Sequence, residues 1–255
     1  MPNQRDATYG FKSNLVVSLA RSGADVIEAQ RLRYKVFADE IGARLASADE
    51  GLDRDIFDPY CEHLLVRDLD TNEVVGTYRI LTSEQAERVG AFYSETEFDL
   101  ANILPLTPRL VEVGRSCVHP DYRQGATIAL LWAGLADYML SRGYEYLIGC
   151  ASISLADGHG PAVQLYERLR AAHLSPDEWR VFPRHPLPLL ETPLPESVGP
   201  VQSPPLIKGY LRLGAYICGD PAWDPEFNAA DLLVLLPMSR MNPRYARHFL
   251  GKVCV

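Results

Sequence analysis

The chain is 255 residues long with 47% hydrophobic and 23% charged residues, ordinary values for a globular fold of one elaborated domain or two. A formal net charge of −8 argues against general nucleic-acid binding, and no run approaches the roughly 18 uncharged apolar residues that a membrane helix needs. The five cysteines, Cys61, Cys117, Cys150, Cys218 and Cys254, are odd in number and never close in sequence, which argues against disulfides and zinc clusters and for a reducing, cytoplasmic setting. Residues 1–10 are polar, lack the apolar segment of a secretory signal and are expected to be flexible. Residues 15–19 read as a first strand. Asp25 followed by Glu28 has the pattern of an N-cap and its reciprocal partner, opening a helix to about residue 41. Residues 43–60 are acidic and irregular, a loop. The apolar runs 63–67 and 73–81, separated by Asp70-Thr71-Asn72, read as a hairpin. Residues 83–106 have room for a short helix, and 110–118 read as a strand. Helical spacing of Ile128, Leu131, Leu135 and Met139 predicts a helix over 125–141, closed by Arg142 and Gly143. A strand over 146–151 and a helix over 161–173 follow, with Pro161 in the helix's first turn. Residues 183–205 read as a proline-rich extended connection, and 207–213 and 232–236 as late strands.

Residues 238–255 carry Arg240, Arg244, Arg247 and Lys252 with no acidic residue. They read as a basic C-terminal helix, either a solvated face or a docking face for an anionic partner or a membrane surface. Strands outnumber helices, and hairpins mix with crossovers. The expected class is α/β (α+β), a mixed central sheet flanked by helices in a single domain over residues 1–255.

The densest chemical signal lies in residues 111–127, VEVGRSCVHPDYRQGAT. A strand ends at Val118, His119-Pro120-Asp121-Tyr122 turns, and Arg123-Gln124-Gly125-Ala126-Thr127 opens a helix. The free N–H groups and positive end of a helix start can hold a phosphate, Gly125 admits close approach, and Arg123 adds charge. One glycine in a strand–turn–helix is a weak signal by itself. Glu112 and Arg115 strengthen it, being charged residues inside an apolar strand. Three residues apart, they would face opposite ways in a plain strand; a bulge near Gly114 would turn them toward one side and free backbone N–H groups. The plain alternative is an internal ion pair. Cys117 with His119 offers a thiol and a base, but neighbours two apart on a strand end rarely meet, so Cys117 reads as core. Asp53, Asp55 and Asp58 lie in the acidic loop without a calcium-loop pattern, and no histidine spacing suggests a ligand set, so no metal is expected. For these aspartates the plain alternative is a solvated loop; for Arg33 it is an exposed helix position, and for Arg79 a surface strand position.

The strand, the Arg-Gln-Gly-Ala-Thr helix start and the helix after it resemble the GCN5-related N-acetyltransferase superfamily. Arg33-Tyr34-Lys35-Val36-Phe37, Asp55-Ile56-Phe57-Asp58, Gly76-Thr77-Tyr78-Arg79 and Glu112-x-x-Arg115 are similar to motifs of the acyl-homoserine-lactone synthases. The tryptophan that follows the Phe in that family is missing, which argues against an S-adenosylmethionine substrate. The stretches 113–118, 204–215, 221–224 and 242–249 resemble the L-ornithine Nα-acyltransferase family, and the likeness covers about residues 25–250. It implies a transferase that moves a 3-hydroxyacyl chain from acyl carrier protein to the α-amine of ornithine, giving lyso-ornithine lipid. Glu112 would accept the amine proton and Arg115 would orient it or bind a carboxylate. Backbone near Cys117 and Val118 would stabilise the oxyanion, and Arg123, Gln124, Gly125, Ala126 and Thr127 would hold the donor phosphate. Arg33, Phe37, Asp55, Asp58 and Arg79 would line the amino-acid site. The superfamily's phosphate loop carries more glycines than Gly125 with Ala126. The smaller cradle suits a phosphopantetheine thioester on a carrier protein better than coenzyme A, and no cofactor is implied. The same chemistry on glycine or another amino acid, an autoinducer-synthase-like enzyme, and a non-catalytic module binding acyl carriers or membranes stay open as alternatives.

Overall fold

The structure is a computed structural model that describes residues 14–188 and 201–241. In chain order the elements are β1 (Leu15–Leu19), α1 (Gly23–Tyr34), β2 (Glu62–Asp68), β3 (Val74–Thr82), α2 (Ser83–Val89), β4 (Phe98–Asp99), β5 (Leu110–Val118), α3 (Ala126–Arg142), β6 (Tyr146–Ser154), α4 (His159–His173), β7 (Phe182–Pro183), α5 (Pro205–Leu213), β8 (Tyr216–Ile217), β9 (Ala222–Asp224) and β10 (Ala229–Pro237). They form two compact units. The first takes the described residues up to Val89 together with Val113–Gly143, and the second takes Gly90–Glu112 and the described residues from Tyr144 onward. Strand β5 is shared, with residues 110–112 in the second unit and 113–118 in the first.

In the first unit the strand order is β1-β2-β3-β5. β1 pairs with β2 and β2 with β3, both antiparallel, and Asn72 turns the β2–β3 hairpin at φ 59°. Helix α3 lies across β1, β2 and β3, while α1 packs on β2 and β3. The approach of α3 to β3 requires Gly76, where a Cβ would fall 2.6 Å from Cγ2 of the buried Thr127. Helix α1 starts three residues earlier in the pattern than Asp25 and Glu28 suggest. Ser22 is the N-cap and Asp25 its partner: the Ser22 hydroxyl accepts from the Asp25 N–H at 3.2 Å, and the Asp25 carboxylate accepts from the Ser22 N–H at 3.0 Å. Glu28 instead accepts from Arg67 at 2.7 Å. Past Tyr34 the helix widens into a π-helical turn, Lys35–Glu40, which reaches the expected end near Ile41.

In the second unit the order is β5-β6-β10-β8, with β9 also on β10 and a separate β4–β7 pair. β5 runs parallel to β6 over Leu110–Glu112, and β6 pairs antiparallel with β10 along nine positions. All nine residues of β10 are buried, which accounts for its unbroken apolar run. Helix α5 packs on β6 and β10, and α4 on β8. Residues 207–213 are therefore helix and not the expected strand. Pro205 sits at the first helical position, Ile207, Tyr210 and Leu213 recur at intervals of three and are all buried, and Gly214 caps the end in the left-handed region. The connection expected over 183–205 begins in β7 and ends where α5 starts, with 189–200 outside the described residues. Of the expected C-terminal helix, Met238–Arg240 form a single 3₁₀ turn, and residues 242–255 lie outside the described residues.

Candidate active site

In the acidic loop of the first unit Asp49 and Glu50 face solvent, but Asp53 and Asp58 do not. Arg33 on α1 has 0% exposure, and Asp53 and Asp58 are 2% and 4% exposed. The Arg33 guanidinium donates to both oxygens of Asp58, at 2.9 and 2.7 Å, and its Nε lies 2.9 Å from Asp53 Oδ2. It also donates to the Asp53 carbonyl. Arg79 on β3 is 3% exposed and donates to both oxygens of Asp55 at 2.7 and 2.6 Å. Arg115 on β5 completes the set, 3.2 Å from Asp53 Oδ2 and 3.4 Å from Asp55 Oδ2. The plain alternatives for Arg33, Arg79 and the aspartates fail for one reason. Three guanidinium groups and three carboxylates neutralise one another, and that is what permits their burial. Burial pushes the Asp58 carboxyl up, but the hydrogen bonds and charge of Arg33 outweigh it, with Arg79 adding, and hold it at about 2. His63 on β2 lies 3.7 Å from Asp58 Oδ1, and burial holds its imidazole below the ordinary 6.5. Phe37 is buried in the π-helical turn.

Arg115 has φ 49°, left-handed backbone that a non-glycine residue in a strand adopts only when its surroundings enforce it. The irregularity expected near Gly114 thus falls one residue later and turns the Arg115 side chain onto Asp53 and Asp55. Cys117 is core, as its position suggested. Burial pushes its thiol up to about 12, which rules it out as a nucleophile at neutral pH. All four described cysteines, Cys61, Cys117, Cys150 and Cys218, are free.

The turn after β5 is pinned at several points. The Tyr122 hydroxyl donates to Asp68 at 2.7 Å, and Arg123 Nε donates to the Val118 carbonyl at 3.2 Å. Gly125 caps α3 at φ 100°, a conformation that suits glycine, and leads into a first turn without acidic residues. Arg123, Gln124 and Gly125 are exposed, Ala126 is half-buried and Thr127 is buried. Two anchors were not legible in the sequence. Arg123 forms a two-point ion pair with Glu40, and Lys35 Nζ lies 2.6 Å from His119 Nε2. Both partners come from the π-helical turn, whose extra residue per turn shifts the side-chain register that helical spacing assumes.

In the second unit Glu112 is 3% exposed, and its carboxylate is held by the turn before β4. The Tyr93 N–H donates to Oε2 at 2.7 Å and the Ser94 N–H to Oε1 at 2.8 Å. The Ser94 hydroxyl adds a third donor to Oε1. These charge-assisted bonds fix a carboxylate inside a strand, where an unpaired one would be intolerable. Ser94 Oγ also lies 3.4 Å from Cys150 Sγ. Beyond it, ligand atoms of Glu97, Cys150 and Asp231 lie within 4.8 Å of one another. Burial, then the charge of Asp231, push the Glu97 carboxyl up to about 10, so it keeps its proton at neutral pH. Sequence reasoning missed this group because its members lie on β6, on β10 and beside β4, far apart in the chain.

Residues 32–133 match the family model described as an acetyltransferase (GNAT) domain. L-ornithine N(alpha)-acyltransferase of Rhizobium meliloti (strain 1021) is 38% identical over 257 residues, covering 94% of this chain and 86% of that protein. The protein of the same name from Brucella abortus (strain 2308) is 37% identical, covering 94% and 90%. Among solved structures, the AHL synthase LasI superposes with a TM-score of 0.53 at 12% identity, covering 95% of this chain and 98% of that one, a likeness of fold alone. With a GNAT domain, a mixed sheet flanked by helices and near-full-length identity to these transferases, the chain is an acyltransferase and belongs to the L-ornithine N(alpha)-acyltransferase family.

Proposed function

We propose that the chain transfers a 3-hydroxyacyl group from acyl carrier protein to the α-amine of ornithine, giving lyso-ornithine lipid. The observation that carries this is the 38% identity over 94% of the chain to an L-ornithine N(alpha)-acyltransferase. The amine nitrogen attacks the thioester carbonyl, the C–N bond forms, the C–S bond breaks and the pantetheine thiolate leaves with a proton. The α-amine is protonated at neutral pH and attacks only once it has lost a proton, so the reaction needs a base. Glu112 takes the ammonium proton, directly or through water, and its three donors aim it. Backbone N–H groups near Cys117 and Val118 stabilise the oxyanion. Arg123 with the Gln124–Thr127 turn holds the phosphate of the phosphopantetheine arm, at a helix start suited to an anion. In the cage, Asp55 and Arg115 have side chains 22% and 12% exposed and meet the amino acid. Arg33, Phe37, Asp58 and Arg79 are buried and position them. Among the described residues no helix is long and apolar enough to cross a membrane. The enzyme would work in the cytoplasm, with the membrane face as the place its lipid product leaves to.

The test is thiol release from 3-hydroxyacyl carrier protein by the purified chain with ornithine. Release with ornithine, reduced at least about a hundredfold in Glu112→Ala, supports the assignment. Release with glycine but not ornithine overturns the amine. Tight donor binding without turnover for any amine overturns the enzymatic reading in favour of a carrier-binding module.

A further inference from the structure

Glu40 ends the π-helical turn after α1 and meets the Arg123 guanidinium end-on. Nη1 donates to Oε1 at 2.5 Å and Nη2 to Oε2 at 2.7 Å, while Nε is taken by the Val118 carbonyl at 3.2 Å. Each guanidinium nitrogen therefore has a partner before any donor arrives, although the side chains of Arg123 and Glu40 are 44% and 39% exposed and reachable from solvent. The other charged groups on or in contact with residues 119–125 do not tip the balance. Lys35 contacts His119, the Asp121 carboxylate lies 3.7 Å from His119 Nδ1, and Asp68 accepts from the Tyr122 hydroxyl. Lys35 and Arg123 are positive; Glu40, Asp121 and Asp68 are negative. The sum is not positive, and the remaining attraction for an anion is the partial charge at the start of α3, about half a unit.

Such a turn can receive one phosphodiester, but has little with which to offset more. Phosphopantetheine on a carrier protein carries a single phosphodiester charge. Coenzyme A carries a pyrophosphate and a phosphomonoester, roughly four negative charges. We infer that Glu40 is a donor-selectivity residue: as the resident counter-ion of Arg123, it disfavours coenzyme A thioesters relative to donors with a single phosphate. This rests on the reading of Arg123 and the first turn of α3 as the donor-phosphate site.

The experiment uses three thioesters of one acyl chain that differ in charge: acyl-pantetheine, acyl-4′-phosphopantetheine and acyl-coenzyme A. Each is assayed by thiol release with ornithine, for the wild-type chain, Glu40→Gln and Arg123→Gln. In Glu40→Gln the expected kcat/KM is unchanged for the pantetheine ester and rises about twofold for the phosphopantetheine ester. It rises about fivefold for the coenzyme A ester through KM, the size expected for one partly exposed charge. Glu40→Ala, made beside it, must move the series the same way. An equal change for all three donors, or none for coenzyme A, overturns the selectivity role. Arg123→Gln separates the two ideas. If it leaves the preference for phosphorylated donors over acyl-pantetheine intact, the phosphate-site reading itself fails. If it abolishes that preference while the Glu40 series stays flat, only the role of Glu40 falls.

Discussion

Arg33 shows what a single buried charge demands. With 0% exposure it is tolerated because Asp53 and Asp58 surround it, and the aspartates are tolerated because it is there. Arg33→Ala leaves two carboxylates buried beside an empty volume and should lower stability by about 3–5 kcal/mol, measured by urea unfolding. Replacing Arg33 and Asp58 together with Met and Leu should cost much less than the sum of the single changes, because no uncompensated charge remains. The pH dependence follows from two neighbours. The folded Asp58 carboxyl sits at about 2, below its ordinary 3.8, so its contribution is present above 3.8 and lost as pH falls through 2. His63 is held below its ordinary 6.5, so the fold keeps it neutral, and stability falls as pH drops below 6.5. His63→Phe should flatten the upper of these two windows while leaving the lower one in place, as read from unfolding midpoints between pH 7 and pH 3.

Among the elements, what the sequence makes legible is local periodicity. The β2–β3 hairpin, α3 with its Gly143 stop and β10 are found where two apolar runs around a turn, helical spacing and a further apolar run indicate. Where spacing fails, a neighbour or an irregular turn decides. Residues 207–213 have an apolar content that fits a strand, and only their contact with β6 and β10 reveals that every third residue is the buried one. The capping box is made by Ser22 and Asp25, while Arg67 of β2 pairs with both Asp25 and Glu28. Likewise Glu112, Arg115 and Arg123 stand out in the sequence as charged residues within or beside an apolar strand. The amides that hold Glu112 and the carboxylate that holds Arg123 come from segments with no such mark. Gly76 is the element-scale test. In Gly76→Ala the new methyl meets Thr127 and must push the start of α3 off β3, so about 1–3 kcal/mol of stability should be lost. Because Thr127 belongs to the proposed phosphate turn, KM for the acyl donor should rise more than KM for the amine.

Taken whole, the molecule combines two units whose stability responds to pH in opposite senses. The first depends on ionised carboxylates and a neutral histidine, so it weakens in acid. The second holds Glu97 at about 10, well above its ordinary 4.5, because of burial and then Asp231. Its folded state is favoured below pH 4.5, and that advantage is lost as pH rises through about 10. Glu97→Gln should therefore raise the unfolding midpoint by an amount that grows from pH 5 to pH 9. Asp58→Asn should weaken the protein at neutral pH and lose that deficit toward pH 2. If both variants shift the midpoint equally at every pH, the division of the two limbs between the units is wrong.

The grip on Glu112 has a practical consequence. Both of its oxygens accept from main-chain N–H groups, Oε2 from Tyr93 and Oε1 from Ser94. A glutamine there must turn its own NH₂ toward one of those two N–H groups, whichever way the amide is flipped. The exchange chemists favour as shape-preserving would thus set donor against donor and pry the turn open, so an inactive glutamine variant would report a broken scaffold as readily as a missing base.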